Sequence, residues 1–284
     1  MKIFVCFNPR KEKSAKAFPQ VMKKLEEFGF EVYIDVRNKP FCKCKNATYL
    51  PVKNCIFHCD IFLTIGGDGT ILRWGKLAAK ARKALLGINT GRLGFMATLE
   101  CDELDKLKLL AEKKYTTSKR MMLKVQIQKG NETSDFLALN DVVLFKGSSS
   151  KLPEFVVSKD EVEVSRLRAD GMIISTSTGS TAYSLSAGGP IIDPQLECFE
   201  LTSLCSHTLF SRPMIFTPKS KLTAQYTAYE NSSVFVTIDG AEGINLNSSD
   251  RVTITKSRLY LELIDLDENS FFNSVHNKLF CPLK

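Results

Sequence analysis

Two hydrophobic patterns alternate along the first third of this chain, short apolar runs and longer stretches with helical spacing, and that alternation restricts the fold more than any other feature. Lys2–Phe7 is an apolar run closed by the turn signal Asn8-Pro9. Residues 14–28 then carry Ala17, Val21, Leu25 and Phe28 at helical spacing and stop at Gly29. Residues 30–36 and Ile61–Ile65 read as further strands, a helix is expected from about Thr70 to Lys83, and residues 84–88 form another buried strand. Near-continuous apolar strands suit a parallel sheet covered on both faces. Residues 1–115 are therefore expected to form a doubly wound, Rossmann-like α/β domain.

The pattern changes near residue 115. Residues 123–128 alternate apolar and polar with period two, as a strand wetted on one face does. Similar short segments recur at 141–145, 161–164, 172–175, 221–227, 234–238, 251–255 and 259–264. Many short strands with turn residues between them indicate an all-β, sandwich-like second domain over residues 116–266. Residues 267–284 are expected to pack back on the first domain. A length of 284 residues with 44% apolar content accommodates two such cores.

Several classes of function fall away on composition. No apolar run approaches the roughly 18 residues of a membrane span, and the N-terminal segment lacks the long apolar stretch and cleavage site of a signal peptide, so the cytoplasm is the expected compartment. The nine cysteines are odd in number and scattered, which argues against a disulfide framework. Cys42, Cys44, Cys55 and Cys59, with His58, form one cluster, but a C-x-C pair is poorly spaced for zinc, and reduced thiols in a surface segment are expected. A net charge of +8 suits an anionic partner. The basic residues are spread out with no run interleaved with aromatics, so no nucleic-acid partner is expected.

Gly66-Gly67-Asp68-Gly69-Thr70 lies between a buried strand and a helix start. Glycines allow a sharp turn and close backbone approach, while the unpaired N–H groups of a helix start favour phosphate. At the C-terminal edge of a parallel sheet, this is also where such folds bind ligands. Asp68 is the oddity, because a carboxylate repels phosphate unless something intervenes. It can reach a Mg²⁺ carried by the phosphates, or accept a proton from a hydroxyl that attacks phosphorus. Both roles belong to phosphoryl transfer; the plainer alternative is a structural turn with Asp68 as a local cap. The segment is not a Walker loop, since no Gly-Lys-Thr or Gly-Lys-Ser follows. GGDGT after a buried strand resembles a kinase superfamily that includes NAD kinases, lipid kinases and, in a close variant, phosphofructokinases.

Two later segments bear on the substrate. Residues 87–96 follow the next buried strand and end in Phe95-Met96, where Phe95 is either a face for a flat ring or an ordinary core residue. Residues 170–190 run from a strand into a turn of small and hydroxyl-bearing residues, Ser175-Thr176-Ser177-Thr178-Gly179-Ser180-Thr181-Ala182-Tyr183, which suits a nucleoside with ring edges and sugar hydroxyls. Neither a G-x-S-x-G elbow nor a nearby histidine supports a serine nucleophile. This block, with residues 89–95 and Leu139-Asn140-Asp141, is very similar to the NAD kinase family, over most of residues 61–218 and in the family's order.

That resemblance implies roles for individual residues. Asp68 matches the catalytic aspartate; Gly66, Gly67, Gly69, Thr70 and Arg73 fall on the triphosphate side, with Asp68 and Gly69 also facing NAD. Asn140 and Asp141 match the pair that holds a ribose of NAD, and Phe95 the aromatic position near adenine. Thr178, Thr181, Ala182, Tyr183 and Ser186 match the dinucleotide-facing loop. Asp170 matches an acidic residue at the nicotinamide end, often supplied by a neighbouring subunit, and Arg168 a basic residue near the phosphates. The resemblance further implies ATP and NAD as substrates, Mg²⁺ or another divalent cation with the triphosphate, and a homodimer or homotetramer. Three departures touch the pocket: Asp141 where glutamate is common, Ser177 in place of a proline, and Ala241 after Asp239-Gly240 in place of glutamine. The expected reaction is phosphorylation of the adenosine ribose 2′-hydroxyl of NAD. A lipid or sugar kinase sharing the glycine turn, or a non-catalytic NAD/NADP sensor, are the alternatives.

Overall fold

A sheet of parallel strands, Ala47–Leu50, Glu31–Asp35, Lys2–Phe7, Ile61–Ile65 and Leu85–Asn89 side by side in that order, carries the first of two units in the computed structural model. The structure describes residues 1–42, 44–91, 94–148, 151–208, 210–227, 233–266 and 270–280. The units are Met1–Lys119 with Leu261–Lys284, and Arg120–Tyr260. In chain order the first holds β1 (Lys2–Phe7), α1 (Glu12–Glu27), β2 (Glu31–Asp35), β3 (Ala47–Leu50), α2 (Val52–His58), β4 (Ile61–Ile65), α3 (Asp68–Ala81), β5 (Leu85–Asn89), β6 (Leu99–Glu100) and α4 (Leu107–Ala111). Ile3, Val5 and Phe7 of β1 share one core with Phe18, Val21 and Leu25 of α1 and with Leu107 and Leu110 of α4. The intervening Phe4 packs edge-on against Trp74 of α3, so helices lie on both faces. Strands run outward in both directions from the β1–β4 pair, which makes that boundary the topological switch point. Phe7 pairs with Ile65 there, immediately before the glycine turn.

The second unit is β-structure throughout: β7 (Thr116–Lys129), β8 (Glu132–Ala138), β9 (Asp141–Lys146), β10 (Glu154–Lys159), β11 (Val162–Arg168), β12 (Gly171–Thr176), β13 (Phe199–Leu204), β14 (Met214–Phe216), β15 (Leu222–Thr227), β16 (Val234–Ile238), β17 (Ile244–Leu246) and β18 (Arg251–Asp265), with one short helix, α5 (Tyr183–Ser186). One antiparallel sheet runs β14-β13-β12-β9-β16-β17. Facing it, β10 pairs with β11 and β15, and β15 with β18. Alternate residues meet in one core between them, Val142 and Leu144, Met172 and Ile174, Val234 and Val236 on one side, Phe155, Val157, Leu222, Ala224, Val252 and Ile254 on the other. That two-residue period defines a β-sandwich. The chain leaves this unit within β18, whose far end pairs with β5 at Leu263↔Leu85, and α6 (Ser270–Val275) follows in the first unit. The expectation for residues 267–284 falls partly on 267–269 and 281–284, which lie outside the described residues.

Three local expectations need correction. Residues 251–255 and 259–264 are one continuous strand; Lys256-Ser257-Arg258 looks like a turn by polarity, but Ser257 is buried, and the buried positions pass from 252 and 254 to 257, 261 and 263 within the strand. Helix α3 begins at Asp68 and not near Thr70, so Asp68 occupies the first helical turn, where the dipole favours a carboxylate. The cysteine segment is not wholly a surface feature: Cys55 and Cys59 are one turn apart on and just after α2, both buried. Burial pushes the Cys55 thiol up to about 11, so it is a neutral core side chain. No group of three or more His, Cys, Asp or Glu that could hold a metal occurs among the described residues.

Candidate active site

Asp68 is fixed from two directions. Gly67 caps α3 without a side-chain hydrogen bond, and Gly66 is packed so tightly that any Cβ there would collide with the Thr70 hydroxyl. Across from the turn, the backbone N–H of Phe95 donates to Asp68 Oδ2 at 2.9 Å and that of Met96 to Oδ1 at 3.3 Å. Gly94 makes the approach possible, since a Cβ there would stand 2.9 Å from Asp68 Cγ and closer still to Oδ1. The glycine turn and the loop after β5 are thus one structure, with the carboxylate between them. Met96 is core. Phe95 is half-buried, and Lys278 lies 3.7 Å above its ring centroid. Burial pushes the Lys278 ammonium below its ordinary value, while Asp68 and Glu100 pull it back up. Sequence reasoning missed both Gly94 and Lys278; only the small residue before an aromatic hinted at the first. Arg92 and Leu93 of the same segment lie outside the described residues.

Gly67, Gly69 and Thr70 are at the start of α3, whereas Arg73 points outward from its second turn and lies over Trp74. Arg73 lines a separate cavity with Arg10 and Arg37.

A second constellation forms in the β-sandwich, where β9 begins and β12 ends. Ser175 pairs with Asp141. Thr176 donates its N–H to Asn140 O at 2.8 Å and its hydroxyl to Leu139 O at 2.7 Å. Gly179 lies directly on the Asn140 carbonyl, leaving no room for a Cβ. Thr178 is buried beside it, and Thr181, Ala182, Tyr183 and Ser186 follow on the next turns, with Tyr183 and Ser186 exposed. Asn140 Oδ1 and Thr178 Oγ1 are buried without a hydrogen-bond partner. Two such atoms within one loop cluster mark a place that a polar ligand completes, because orphaned buried acceptors are costly.

Two supports were not foreseen. The Asp239 carboxylate accepts the N–H groups of Leu139, Asn140 and Asp141 at 2.9, 2.8 and 3.1 Å. Asp239 adopts φ 51°, a turn conformation that aspartate tolerates better than most residues. The Asp239-Gly240 pair was visible in the sequence, its task was not. Beneath the hydroxyl-rich loop, fully buried Glu200 accepts the Ser175 and Thr202 hydroxyls at 3.0 and 3.1 Å, and burial holds its carboxyl above the usual range.

Arg168 and Asp170 are not brought to this cluster. They precede β12, whereas the hydroxyl-rich loop follows it, and six strand residues span roughly 20 Å. Asp170 pairs there with Lys146 at 2.8 Å.

Residues 3–115 match the family model described as ATP-NAD kinase N-terminal domain, and residues 139–266 match ATP-NAD kinase C-terminal domain. An NAD kinase of Caldanaerobacter subterraneus subsp. tengcongensis is 34% identical, with 98% of each chain covered. The chain belongs to the NAD kinase family. An NAD kinase of Moorella thermoacetica is 40% identical over 76% of this chain and 70% of its own. Among solved structures, an NAD kinase from Archaeoglobus fulgidus in complex with ATP shares 27% identity at a TM-score of 0.70, covering 96% of both chains. Yeast NADH kinase complexed with NADH shares the fold, with a TM-score of 0.85 over 99% of this chain and 87% of its own at 23% identity. Within the NAD kinase family a lipid or sugar acceptor has no support, and the glycine turn takes its place as part of an enzyme that phosphorylates NAD with ATP.

Proposed function

We propose that the chain transfers the γ-phosphoryl group of ATP to the adenosine ribose 2′-hydroxyl of NAD, giving NADP, with Asp68 as the base. The observation that carries this assignment is the posture of Asp68: a carboxylate in the first turn of α3, oriented by two backbone N–H groups and still holding free lone pairs for a hydroxyl proton. Gly67 and Gly69 would offer backbone N–H groups to the triphosphate, while Gly66 and Thr70, whose own N–H groups donate to the Ile88 and Gly67 carbonyls, would shape the turn around it. A divalent ion such as Mg²⁺ would arrive with the triphosphate and neutralise its charge. Asp68 is the carboxylate of this turn able to touch it, which fits an ion held chiefly by phosphate. Asn140, Asp141, Thr178, Thr181, Ala182, Tyr183 and Ser186 would hold the dinucleotide, a role supported by the orphaned atoms of Asn140 and Thr178, and Phe95 would meet its adenine. Holding both substrates in line, with charge neutralised, would supply most of the acceleration.

The distance of Arg168 and Asp170 from the loop cluster supports an assembly, homodimer or homotetramer, in which they serve a neighbouring copy's site. Light scattering on the purified chain tests this; a monomer at working concentration refutes it. The described cysteines are all free, which suits a reducing compartment such as the cytoplasm.

Asp68→Asn tests the base. The variant should fold and bind NAD, with NADP formation slowed roughly 10²–10⁴-fold in a coupled assay. A near-normal turnover number would end the assignment.

A further inference from the structure

Glu200 of β13 is fully buried, yet none of the proposed catalytic steps uses it. Its neighbours Phe199 and Leu201 face the core of the sandwich, so the two-residue period of a strand turns Glu200 to the opposite face of the sheet, beneath the hydroxyl-rich loop. An apolar side chain would fill that position without the cost of taking a carboxyl out of water. Burial does push this carboxyl up, and the hydroxyls around it pull it back.

Those hydroxyls come from both ends of the loop. Ser175, the register partner of Glu200 on β12, donates to Oε2 at 3.0 Å. It is the residue before Thr176, and on its other side it pairs with Asp141 of β9. Thr202, two residues along β13, donates to Oε1 at 3.1 Å. Its single proton is then committed, so in the 2.9 Å contact between Thr202 and Ser184 the donor is Ser184. Ser184 belongs to α5, into which the loop closes. Gly189 packs on the same spot, where a Cβ would collide with both Glu200 Oε1 and Ser184 Oγ. One carboxylate therefore ties the start of the loop to its end, and Thr178, Thr181, Ala182 and Tyr183 lie between the two attachments.

We propose that Glu200 is a positioning residue for the dinucleotide: by joining Ser175 to Ser184 through Thr202, it holds the hydroxyl-rich loop in its binding shape before NAD arrives. The assignment rests on NAD as the occupant of that loop, as proposed above. A loop fixed at both ends has little freedom left to lose on binding. Without the tie only a fraction of the chains carry the competent shape, and apparent affinity falls by that fraction. Saturating NAD restores the shape, so the loss belongs in KM and not in kcat. ATP, placed at the glycine turn of the first unit, does not sense it.

Glu200→Gln and Glu200→Met separate this role from plain packing. A glutamine amide still joins both hydroxyls, accepting from one and donating to the other, whereas methionine fills a similar volume and does neither. Steady-state kinetics and NAD calorimetry should show KM and Kd for NAD raised roughly five- to tenfold in Glu200→Met. Its kcat and KM for ATP should stay within about twofold, and Glu200→Gln should stay within about twofold in every constant. An unchanged KM for NAD in Glu200→Met, an equal rise in both variants, or a rise shared by ATP would overturn the proposal. Ser184→Ala removes only the far link and carries the test by itself if Glu200→Met does not fold. It should raise KM for NAD roughly two- to threefold, and add little when combined with Glu200→Met; full additivity would show that no tie connects them. If the wild-type chain made no NADP yet bound NAD with this dependence on Glu200, the reaction would fall and the positioning role would stand.

Discussion

Gly94→Ala is the most informative single change. Its Cβ would stand 2.9 Å from Asp68 Cγ and nearer still to Oδ1, whereas ordinary contact starts at 3.4 Å. Carboxylate and loop must therefore separate by roughly 1 Å, a misplacement that can cost about 10²-fold in rate, or about 2.7 kcal/mol of barrier. The hydrogen bonds lead to a similar figure. Separation stretches the Phe95 and Met96 N–H contacts, and a hydrogen bond to a charged group contributes about 1.5–3 kcal/mol. We expect kcat for NADP formation to fall by about 10²-fold, with a smaller rise in KM for NAD, because Phe95 shifts while Asn140 and the hydroxyl-rich loop are untouched. Thermal unfolding of the variant separates a displaced carboxylate from a damaged core. In an Asp68→Asn background the same glycine change should cost much less, since both alter one group. Wild-type kcat in Gly94→Ala, or full additivity of the two changes, would refute the argument that Gly94 exists to admit the carboxylate.

Asn140→Ala should raise KM for NAD roughly tenfold while leaving Tm nearly unchanged, because Oδ1 has no partner to lose in the ligand-free chain; a large drop in Tm would show that the side chain is structural. Asp239→Ala removes the acceptor of three N–H groups, and should destabilise the β-sandwich by about 3 kcal/mol and weaken NAD binding, both measurable by denaturant titration and calorimetry. For Glu200 the sign follows from burial, which raises its carboxyl above the unfolded value. The native state then binds more protons than the unfolded one as pH rises above the ordinary carboxyl range, so stability falls across that window. Glu200→Gln removes this loss, so its Tm should exceed that of the wild type at pH 8 and the gap should close towards pH 4.5. A gap independent of pH would show that the carboxyl does not titrate there.

Much of the fold was legible because both units obey a hydrophobic period. Apolar runs such as Ile61–Ile65 are buried throughout, and alternation in 234–238 became alternation of burial in β16. What failed was polarity used as punctuation: Lys256-Ser257-Arg258 sits inside a strand, with Ser257 buried between a half-buried Lys256 and an exposed Arg258. Cys55 and Cys59 misled for the opposite reason, a thiol being a small hydrophobe as readily as a ligand. At the site, Asp68 and the hydroxyl-rich loop were visible as local motifs. Gly94, Glu200 and Lys278 were not, nor was the task of Asp239, since each acts on a residue far along the chain, and no local pattern encodes such a contact.

The two units share a device that bears on how the reaction would be prepared. In each, a carboxylate accepts N–H groups from a loop that carries candidate ligand residues: Asp68 holds Phe95 and Met96, and Asp239 holds Leu139, Asn140 and Asp141. Backbone bound in this way keeps its conformation before any substrate arrives, so less ordering free energy is lost on binding. It also means that the Asp68 carboxylate and the loop bearing Phe95 cannot shift independently. A carboxylate serving only as a cap would bond to the amides of its own first turn. One held by amides 27 and 28 residues away is positioned for something outside the helix, and a hydroxyl awaiting phosphorylation has the chemistry to be that partner.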